Sequence, residues 1–393
     1  MYIIKKFLQI SSKGYKKILT ELRREGGQAR LIGGCVRDAL LNKDSYDIDI
    51  ATTLLPDEVI KVLSKADIKV IPTGIKFGTV TAILNKEKFE ITTLRKDIDC
   101  NGRHAKVLFT DNFAVDAARR DFTINALSYC PFENKIYDYF KGLEDLKLKK
   151  LVFIGQASQR IKEDYLRILR FFRFSSYYAD HLNDEGLEAC KNLQEGLKIL
   201  SRERIKSEMD KIIISKNSPT VLKVMFDTGI LSLIFSVKYY EVKFFEQASF
   251  FNLQLSTRYA LLLYKIEDLK LNVLINWKYS KQDATKIFSI ITLINSPKIT
   301  EFDMKKIWWE NSAYKEYLFA ATLIGKLEFS QIQIFIDKYD QLERSIFPLT
   351  GHDLLRINIE NKEIGKQLEY VKNIWIENDF VQTKSQLLTF IEK

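Results

Sequence analysis

Two carboxylates one residue apart, Asp47 and Asp49, sit in the strand-like run Asp47-Ile48-Asp49-Ile50. Alternation along a strand puts both on one face and Ile48 and Ile50 on the other. A carboxylate pair held in this way is a hard oxygen donor set, suited to Mg²⁺ and phosphoryl transfer. Upstream, Gly33-Gly34 follows the apolar Leu31-Ile32 and precedes Cys35-Val36-Arg37-Asp38, which reads as the opening of a helix. Glycines let backbone N–H groups approach a phosphate closely, and a helix N-terminus adds partial positive charge. No Gly-Lys-Ser/Thr follows, so this is not a Walker P-loop. Taken singly, a Gly pair is a turn and an Asp-x-Asp a solvated strand end. Their order and spacing point to a metal-and-phosphate site.

Further along, Arg119-Arg120-Asp121 begins the run RRDFTINAL, and two adjacent arginines suit a phosphate or a ribose-bound anion. The alternative for these arginines is a helix-surface ion pair. In IKEDYLRILRFFRF, Asp164 and Arg167 stand three residues apart, which places them on one face of a single helix. Arg170 and Arg173 continue that spacing, while Ile168, Leu169, Phe171 and Phe172 supply the buried side. A solvated, salt-bridged stripe would look the same. Asp164 can only accept hydrogen bonds and Arg167 can only donate.

These groups need a scaffold. Ile18, Leu19 and Leu22 give helical spacing to Tyr15–Arg24, stopped by Gly26-Gly27. Pro56–Leu63 reads as a helix capped near Thr53, DIKVIPTGIKFGTVTAIL as strands around Gly74 and Gly78, and EKFEITTLRKD as another strand. RKDIDCNGRHAKVLF, with a polar, glycine-containing centre, predicts a mobile loop. From about Leu151 helical patterns continue to the end, with aromatic-rich amphipathic segments around Trp277, Trp308 and Trp309.

The length, 393 residues, predicts two or more domains with sizeable cores. A net charge of +10 permits an anionic partner. Cys35, Cys100, Cys130 and Cys190 form no C-x-x-C pair, which argues for a reducing compartment and against a zinc site. The presence of only His104, His181 and His352 argues against a histidine-rich metal centre. No apolar run approaches a membrane span and no signal-peptide pattern opens the chain, so the cytoplasm is expected.

GGCVRD followed by DIDIAT resembles the opening motif of class II tRNA nucleotidyltransferases (CCA-adding enzymes) and the related bacterial poly(A) polymerases. RRDFTINAL resembles the second family motif, and Asp138-x-x-x-Gly142-x-x-Asp145-Leu146 the third, which joins head to helical neck. ED-x-x-R-x-L-R-x-x-R-F resembles the fourth, a protein template for the incoming base. SRERIKSEM, with Glu203, Arg204 and Glu208, resembles the fifth, which braces it. The loop bearing Asn101-Gly102-Arg103-His104 stands where the family commonly has Asp-Gly-Arg.

The resemblance implies an α+β fold, with a nucleotidyltransferase head of mixed sheet and helices followed by an all-α neck, body and tail. The expected boundaries are 1–140, 141–216 and 217–393, the last part binding tRNA. It implies template-independent addition of C, C and A to the tRNA 3′ end from CTP and ATP. Asp47 and Asp49 would hold Mg²⁺. Gly33, Gly34, Arg37 and Asp38 would lie at the triphosphate, and Arg120 and Asp121 near ribose and phosphate. Asp164 and Arg167 would read the base, with Arg170 and Arg173 among the nucleotide-binding arginines. Arg103, Asp138, Gly142, Asp145, Glu203 and Arg204 would support them. Three alternatives stay open: a poly(A) polymerase, an enzyme adding only CC or only A, and a non-catalytic RNA-binding protein. The intact Asp47, Asp49, Asp164 and Arg167 argue against the last.

Overall fold

Short runs of alternating apolar residues fold into ten strands among the described residues: β1 (Tyr2–Ile3), β2 (Ala29–Ile32), β3 (Ile48–Thr52), β4 (Lys69–Gly74), β5 (Thr79–Leu84), β6 (Glu87–Thr93), β7 (Arg95–Asn101), β8 (His104–Phe109), β9 (Ser128–Cys130) and β10 (Lys135–Tyr137). The structure, a computed structural model, describes residues 2–3, 14–45, 47–101 and 104–391. Eight strands form one sheet in the order β1-β10-β9-β2-β3-β6-β5-β4. Only β3 and β6 pair in parallel; the other neighbours are antiparallel, so the sheet is mixed. β2 and β3 lie inside it, with Leu31 and Ile50 directly opposite and fully buried. Because they run antiparallel with Ile32 opposite Asp49, the end of β2 and the start of β3 share one edge of the sheet. That register sets Gly33 beside the carboxylates.

Helices α1 (Gly14–Arg24), α2 (Gly34–Leu40), α3 (Pro56–Lys65), α4 (Phe113–Ala118) and α5 (Gly142–Lys147) accompany the sheet. α1 buries Ile18, Leu19 and Leu22, the residues its spacing selects. α3 begins at Pro56. Its cap is the Glu58 carboxylate accepting from the Leu55 N–H at 2.8 Å; the Thr53 hydroxyl instead accepts from the Gln28 N–H. The segment read as a mobile loop is largely the antiparallel ribbon β7–β8, paired from Arg95↔Phe109 to Asn101↔His104. Gly102 and Arg103, at its tip, lie outside the described residues.

Beyond the sheet come α6 (Ala157–Glu163), α7 (Leu166–Tyr178), α8 (Asp184–Asn192), α9 (Arg202–Ile213), α10 (Ser218–Asp227) and α11 (Ile230–Phe235). The stretch read as one helix is two. Asp164 is extended (φ −155°, ψ 107°) between α6 and α7, and its carboxylate accepts from the Leu166 N–H at 3.1 Å. Its carbonyl accepts from the Arg167 N–H at 3.0 Å. Asp is a strong helix initiator because its side chain satisfies first-turn donors, and that preference wins over continuity here. α7 buries Ile168, Leu169, Phe171, Phe172 and Phe174. Phe171 stacks on Phe153 (centroids 5.6 Å apart), which in turn meets Phe122 at 4.8 Å. At about 1.5–3 kcal/mol per buried side chain, this cluster fixes α7 firmly against the segment that follows α4.

The chain divides into two compact units, Met1–Ser236 and Val237–Lys393. The second is helical among its described residues: α12 (Val242–Phe250), α13 (Leu255–Leu263), α14 (Leu271–Asn276), α15 (Lys281–Asn295), α16 (Glu301–Glu310), α17 (Tyr314–Leu323), α18 (Phe329–Tyr339), α19 (Gly351–Arg356), α20 (Asn361–Glu377) and α21 (Lys384–Leu388). Trp308, Tyr339 and Trp375 are buried in its core, and Trp309 packs edge-on against Trp375. No helix among the described residues is long and apolar enough to cross a membrane.

Asp138, Gly142 and Asp145 form a clamp. Asp138 accepts from the N–H groups of Phe140, Gly142 and Leu143 at 2.9–3.1 Å, and Asp145 accepts from the Thr123 hydroxyl at 2.6 Å. A Cβ on Gly142 would collide with the Thr123 carbonyl. Gly142→Ala is therefore expected to destabilise the protein by about 1–3 kcal/mol, seen as a lowered midpoint in urea titration.

Candidate active site

Where β2 ends, Gly33 takes φ +72°, and the chain turns directly into α2. A Cβ there would lie 3.3 Å from Arg120 Nη1 and 3.9 Å from Asp49 Oδ2, so glycine keeps the backbone close to both. This turn forms one side of a cleft of about 650 Å³. Gly33, Gly34, Arg37, Asp38, Asp47, Asp49, Arg120, Asp121, Asp164, Arg167, Arg170, Arg173 and Arg204 all line it. Every residue assigned from the sequence to metal or nucleotide is thus in one place. Asp138, Gly142, Asp145 and Glu203 are not among the lining residues, and Arg103 lies outside the described residues.

The cleft is a field of paired charges. Arg37 is only 6% exposed; it grips both Asp38 carboxylate oxygens at 2.9 and 3.0 Å and donates to Asn125. The Tyr178 hydroxyl donates to Asp38 at 2.9 Å, and the Tyr178 ring lies 4.1 Å from the Arg37 guanidinium. Burial and the Asp38 carboxylate outweigh Arg37 and push the Tyr178 phenol up to about 12. Asp116, buried behind the cleft, accepts from Arg119 at 2.8 Å, Arg120 at 3.2 Å and the Arg95 N–H at 3.3 Å. Burial opposes its charge, yet Arg120 and Arg119 hold its carboxyl below the ordinary range.

On the opposite side, Arg170 donates to Asp121 at 2.7 Å, Arg173 to Glu208 at 2.6 Å, and Arg204 to Asp164 at 2.6 Å. Arg167 pairs with Glu163 at 2.6 Å, not with Asp164, and also donates to the Arg160 carbonyl. Asp121 is 7% exposed and accepts from the Phe122 N–H and Asn125 besides Arg170. Burial alone would raise its pKa; Arg170 and these hydrogen bonds hold it low. It lines the cleft with its carboxylate engaged by Arg170.

Among the six aspartates lining the cleft, Asp47 and Asp49 are the two with no arginine or lysine partner within 4 Å among the described residues. Asp49 is pushed up to about 6, chiefly by burial, then by the charges of Glu90 and Asp47 acting against Arg120. Glu90 is opposite Asp49 in the parallel β3–β6 pair. Its place in EKFEITT, alternating with buried Phe89 and Ile91, is a signal the sequence reading passed over. Asn125, Glu163 and Tyr178 also escaped it. Among the described residues no group of three or more His, Cys, Asp or Glu side chains converges as a metal cage. Two crowded carboxylates in this cleft still fit a hard divalent cation, which takes few protein ligands and completes its shell with substrate oxygens and water.

Residues 29–152 match the family model described as Poly A polymerase head domain, and residues 181–238 match Probable RNA and SrmB- binding site of polymerase A. The fold and the cleft thus define a nucleotidyltransferase with a poly(A)-polymerase-type head. The CCA tRNA nucleotidyltransferase 1, mitochondrial, of Homo sapiens is 33% identical over 98% of this chain and 92% of its own. The CCA-adding enzyme of Lactobacillus johnsonii is 30% identical over 95% of each chain. A crystal structure of the Bacillus stearothermophilus CCA-adding enzyme in complex with CTP shares the fold, with a TM-score of 0.75 over 94% of each chain at 22% identity. The chain belongs to the CCA-adding tRNA nucleotidyltransferase family.

The Asp49 shift has a sign that can be tested without substrate. Its folded pKa, about 6, lies above the ordinary 3.8, so the metal-free folded protein holds the proton more tightly than the unfolded chain. Asp49 therefore destabilises the fold fully above pH 6, and the penalty fades as pH falls towards 3.8. Asp49→Asn should stabilise the metal-free protein at pH 7 by ~1 kcal/mol or more, with a smaller gain at pH 5. Urea unfolding in chelator at the two pH values checks this.

Proposed function

We propose that the protein adds C, C and A, without a nucleic-acid template, to the 3′ end of tRNA, using CTP and ATP. The observation that carries this is the cleft: an unpaired carboxylate couple on one side faces an Asp164–Arg167 wall on the other, in a chain related along nearly its whole length to CCA-adding enzymes. In this reading Asp47 and Asp49 hold the divalent metal, for which Mg²⁺ suits an all-carboxylate pair. When bound, such an ion lowers the pKa of the attacking 3′-hydroxyl and takes up charge on the departing pyrophosphate.

The chain's own groups do the rest. The Gly33-Gly34 turn brings backbone and Arg120 together beside Asp49, where the triphosphate is seated. Arg37, held by Asp38 and Asn125, supplies fixed positive charge from beneath. Arg170 and Arg173 present their remaining N–H donors to the nucleotide, and Asp121 serves by holding Arg170 in place. Asp164 and Arg167 read the base. Arg204 donates to one Asp164 oxygen and leaves that carboxylate further acceptor sites. We assign tRNA binding to the helical region 217–393 and the compartment to the cytoplasm. Support for the latter is that Cys35, Cys130 and Cys190 are free thiols, all buried.

Asp47→Ala or Asp49→Ala should abolish nucleotide addition while tRNA remains bound, because each removes a metal ligand. The assay is incubation with tRNA lacking CCA and all four nucleotides, followed by sequencing of the 3′ ends. Wild type should stop after three nucleotides. Long adenosine tails would instead make it a poly(A) polymerase, and a stop after CC or addition of A alone would make it a partial enzyme.

Base choice provides the second test. Uracil and guanine place a carbonyl lone pair against the Asp164 carboxylate, a mismatch worth about 1–3 kcal/mol. Arg167→Ala should cripple use of both CTP and ATP, and Asp164→Ala should admit UTP or GTP at rates nearer the correct nucleotides. Single-nucleotide incorporation with each triphosphate measures both. Full selectivity in Asp164→Ala would show the residue to be only the salt-bridge partner of Arg204.

A further inference from the structure

We propose that Asn125 is a positioning residue for nucleotide addition: its side-chain amide ties Arg37, on the glycine side of the cleft, to Asp121 and so to Arg170, on the α7 side. Its carbonyl oxygen accepts from Arg37 Nη1 at 2.5 Å, and its amide nitrogen donates to Asp121 Oδ1 at 3.0 Å. The other Asp121 oxygen takes Arg170 Nε at 2.7 Å. The chain Arg37–Asn125–Asp121–Arg170 therefore crosses the cleft floor without a gap.

The position demands a primary amide. It must accept from a cation on one end and donate to a carboxylate on the other, and Asn does both from one short planar group. An ionised carboxylate here would keep the Arg37 bond but face Asp121 with like charge. An apolar side chain of similar size would leave a buried guanidinium donor and a buried carboxylate each short of a partner. Asn125 is 7% exposed and ends the tight turn Thr123–Asn125, where its N–H is bonded to the Phe122 carbonyl at 3.0 Å. The amide is thus held in place from behind and can transmit position rather than absorb it. Without it, Arg37 and Arg170 would each keep a carboxylate partner, but no longer in fixed register with one another.

This inference rests on the reading of the cleft as the triphosphate site, and the test separates the two. CTP and ATP binding to the full-length protein, and the rate of single-nucleotide addition, would be measured at pH 8 for wild type, Asn125→Asp and Asn125→Leu, with circular dichroism confirming the fold. The groups facing the introduced carboxyl are Arg37 and Asp121, with Asp38 and Tyr178 beyond the first and Arg170 beyond the second. At pH 8 Asn125→Asp should weaken binding at least about tenfold. Its carboxylate keeps the Arg37 bond but cannot donate to Asp121, so the tie to Arg170 is broken on that side alone. Asn125→Leu, which can neither accept nor donate, should be weakened at least as much.

Near-wild-type binding and addition by either Asn125→Asp or Asn125→Leu would overturn the proposal. Should Asn125→Asp fail to fold, Asn125→Leu decides: weakened binding upholds the role and unchanged binding refutes it. Wild type that takes up neither CTP nor ATP would overturn the reading of the cleft itself, and this inference with it.

Discussion

The interaction on which the cleft depends is the arginine–carboxylate pair, repeated around its walls until nearly every charge has a partner. Seven arginines and six aspartates line one opening of about 650 Å³. Unpaired, so many charges could not be held in a partly desolvated space, since each ion would lose hydration with nothing in exchange. Asp38, Asp116, Asp121, Glu163, Asp164 and Glu208 each take one or more arginines. Against that background the isolation of Asp47 and Asp49 is informative. Two carboxylates left crowded and, among the described residues, without a cationic partner, in a site where arginine is plentiful, are what the proposed metal site rests on.

The elements that position these charges are apolar. α7 has one face locked into the Phe122–Phe153–Phe171 cluster, which leaves its other edge as a straight mount for Arg167, Arg170 and Arg173. α9 packs alongside and returns Arg204 and Glu208 to that edge. On the sheet side, the register Ile32↔Asp49 is set by the burial of Leu31, Ile48 and Ile50. A slip of one residue would turn Asp49 into the core and Ile50 out of it. The hydrophobic pattern therefore specifies where the carboxylates point.

What the sequence made legible follows from distance along the chain. The strand–glycine–helix turn, the alternation through Asp47 and Asp49 and the apolar stripe of α7 are local patterns, and each forms as its spacing requires. The ion pairs are not local. Arg37 meets Asn125 88 positions away, and Tyr178 reaches Asp38 across 140, separations at which no periodicity carries information. The partners of Arg170 and Arg173, 49 and 35 positions away, were hidden for the same reason, whereas Glu163 stands four residues before Arg167 and was a local partner passed over in favour of Asp164. The break at Asp164 was legible in principle. An aspartate just before Tyr165-Leu166 is a helix-start signal, but the long apolar stripe invited reading through it. The ribbon β7–β8 was masked by its polar composition, because a hairpin outside the main sheet needs little apolar alternation to pair.

Pairing of this density does not close the cleft to a nucleotide. A guanidinium has five N–H donors in a fixed plane, and the pairs seen here use only part of that capacity. Arg173 gives Nε to Glu208, and Arg204 gives one terminal nitrogen to Asp164. Each carboxylate thus acts as a handle, orienting a planar donor set whose other edge stays available. Groups already oriented lose little rotamer freedom when a polyanion arrives, so more of the interaction remains for binding and for the charge that develops at the reacting phosphate. A triphosphate, however, brings several negative charges towards Asp47 and Asp49, the two carboxylates without an arginine. On the proposed assignment, approach to that corner is repulsive, and a divalent cation between them would offset the repulsion.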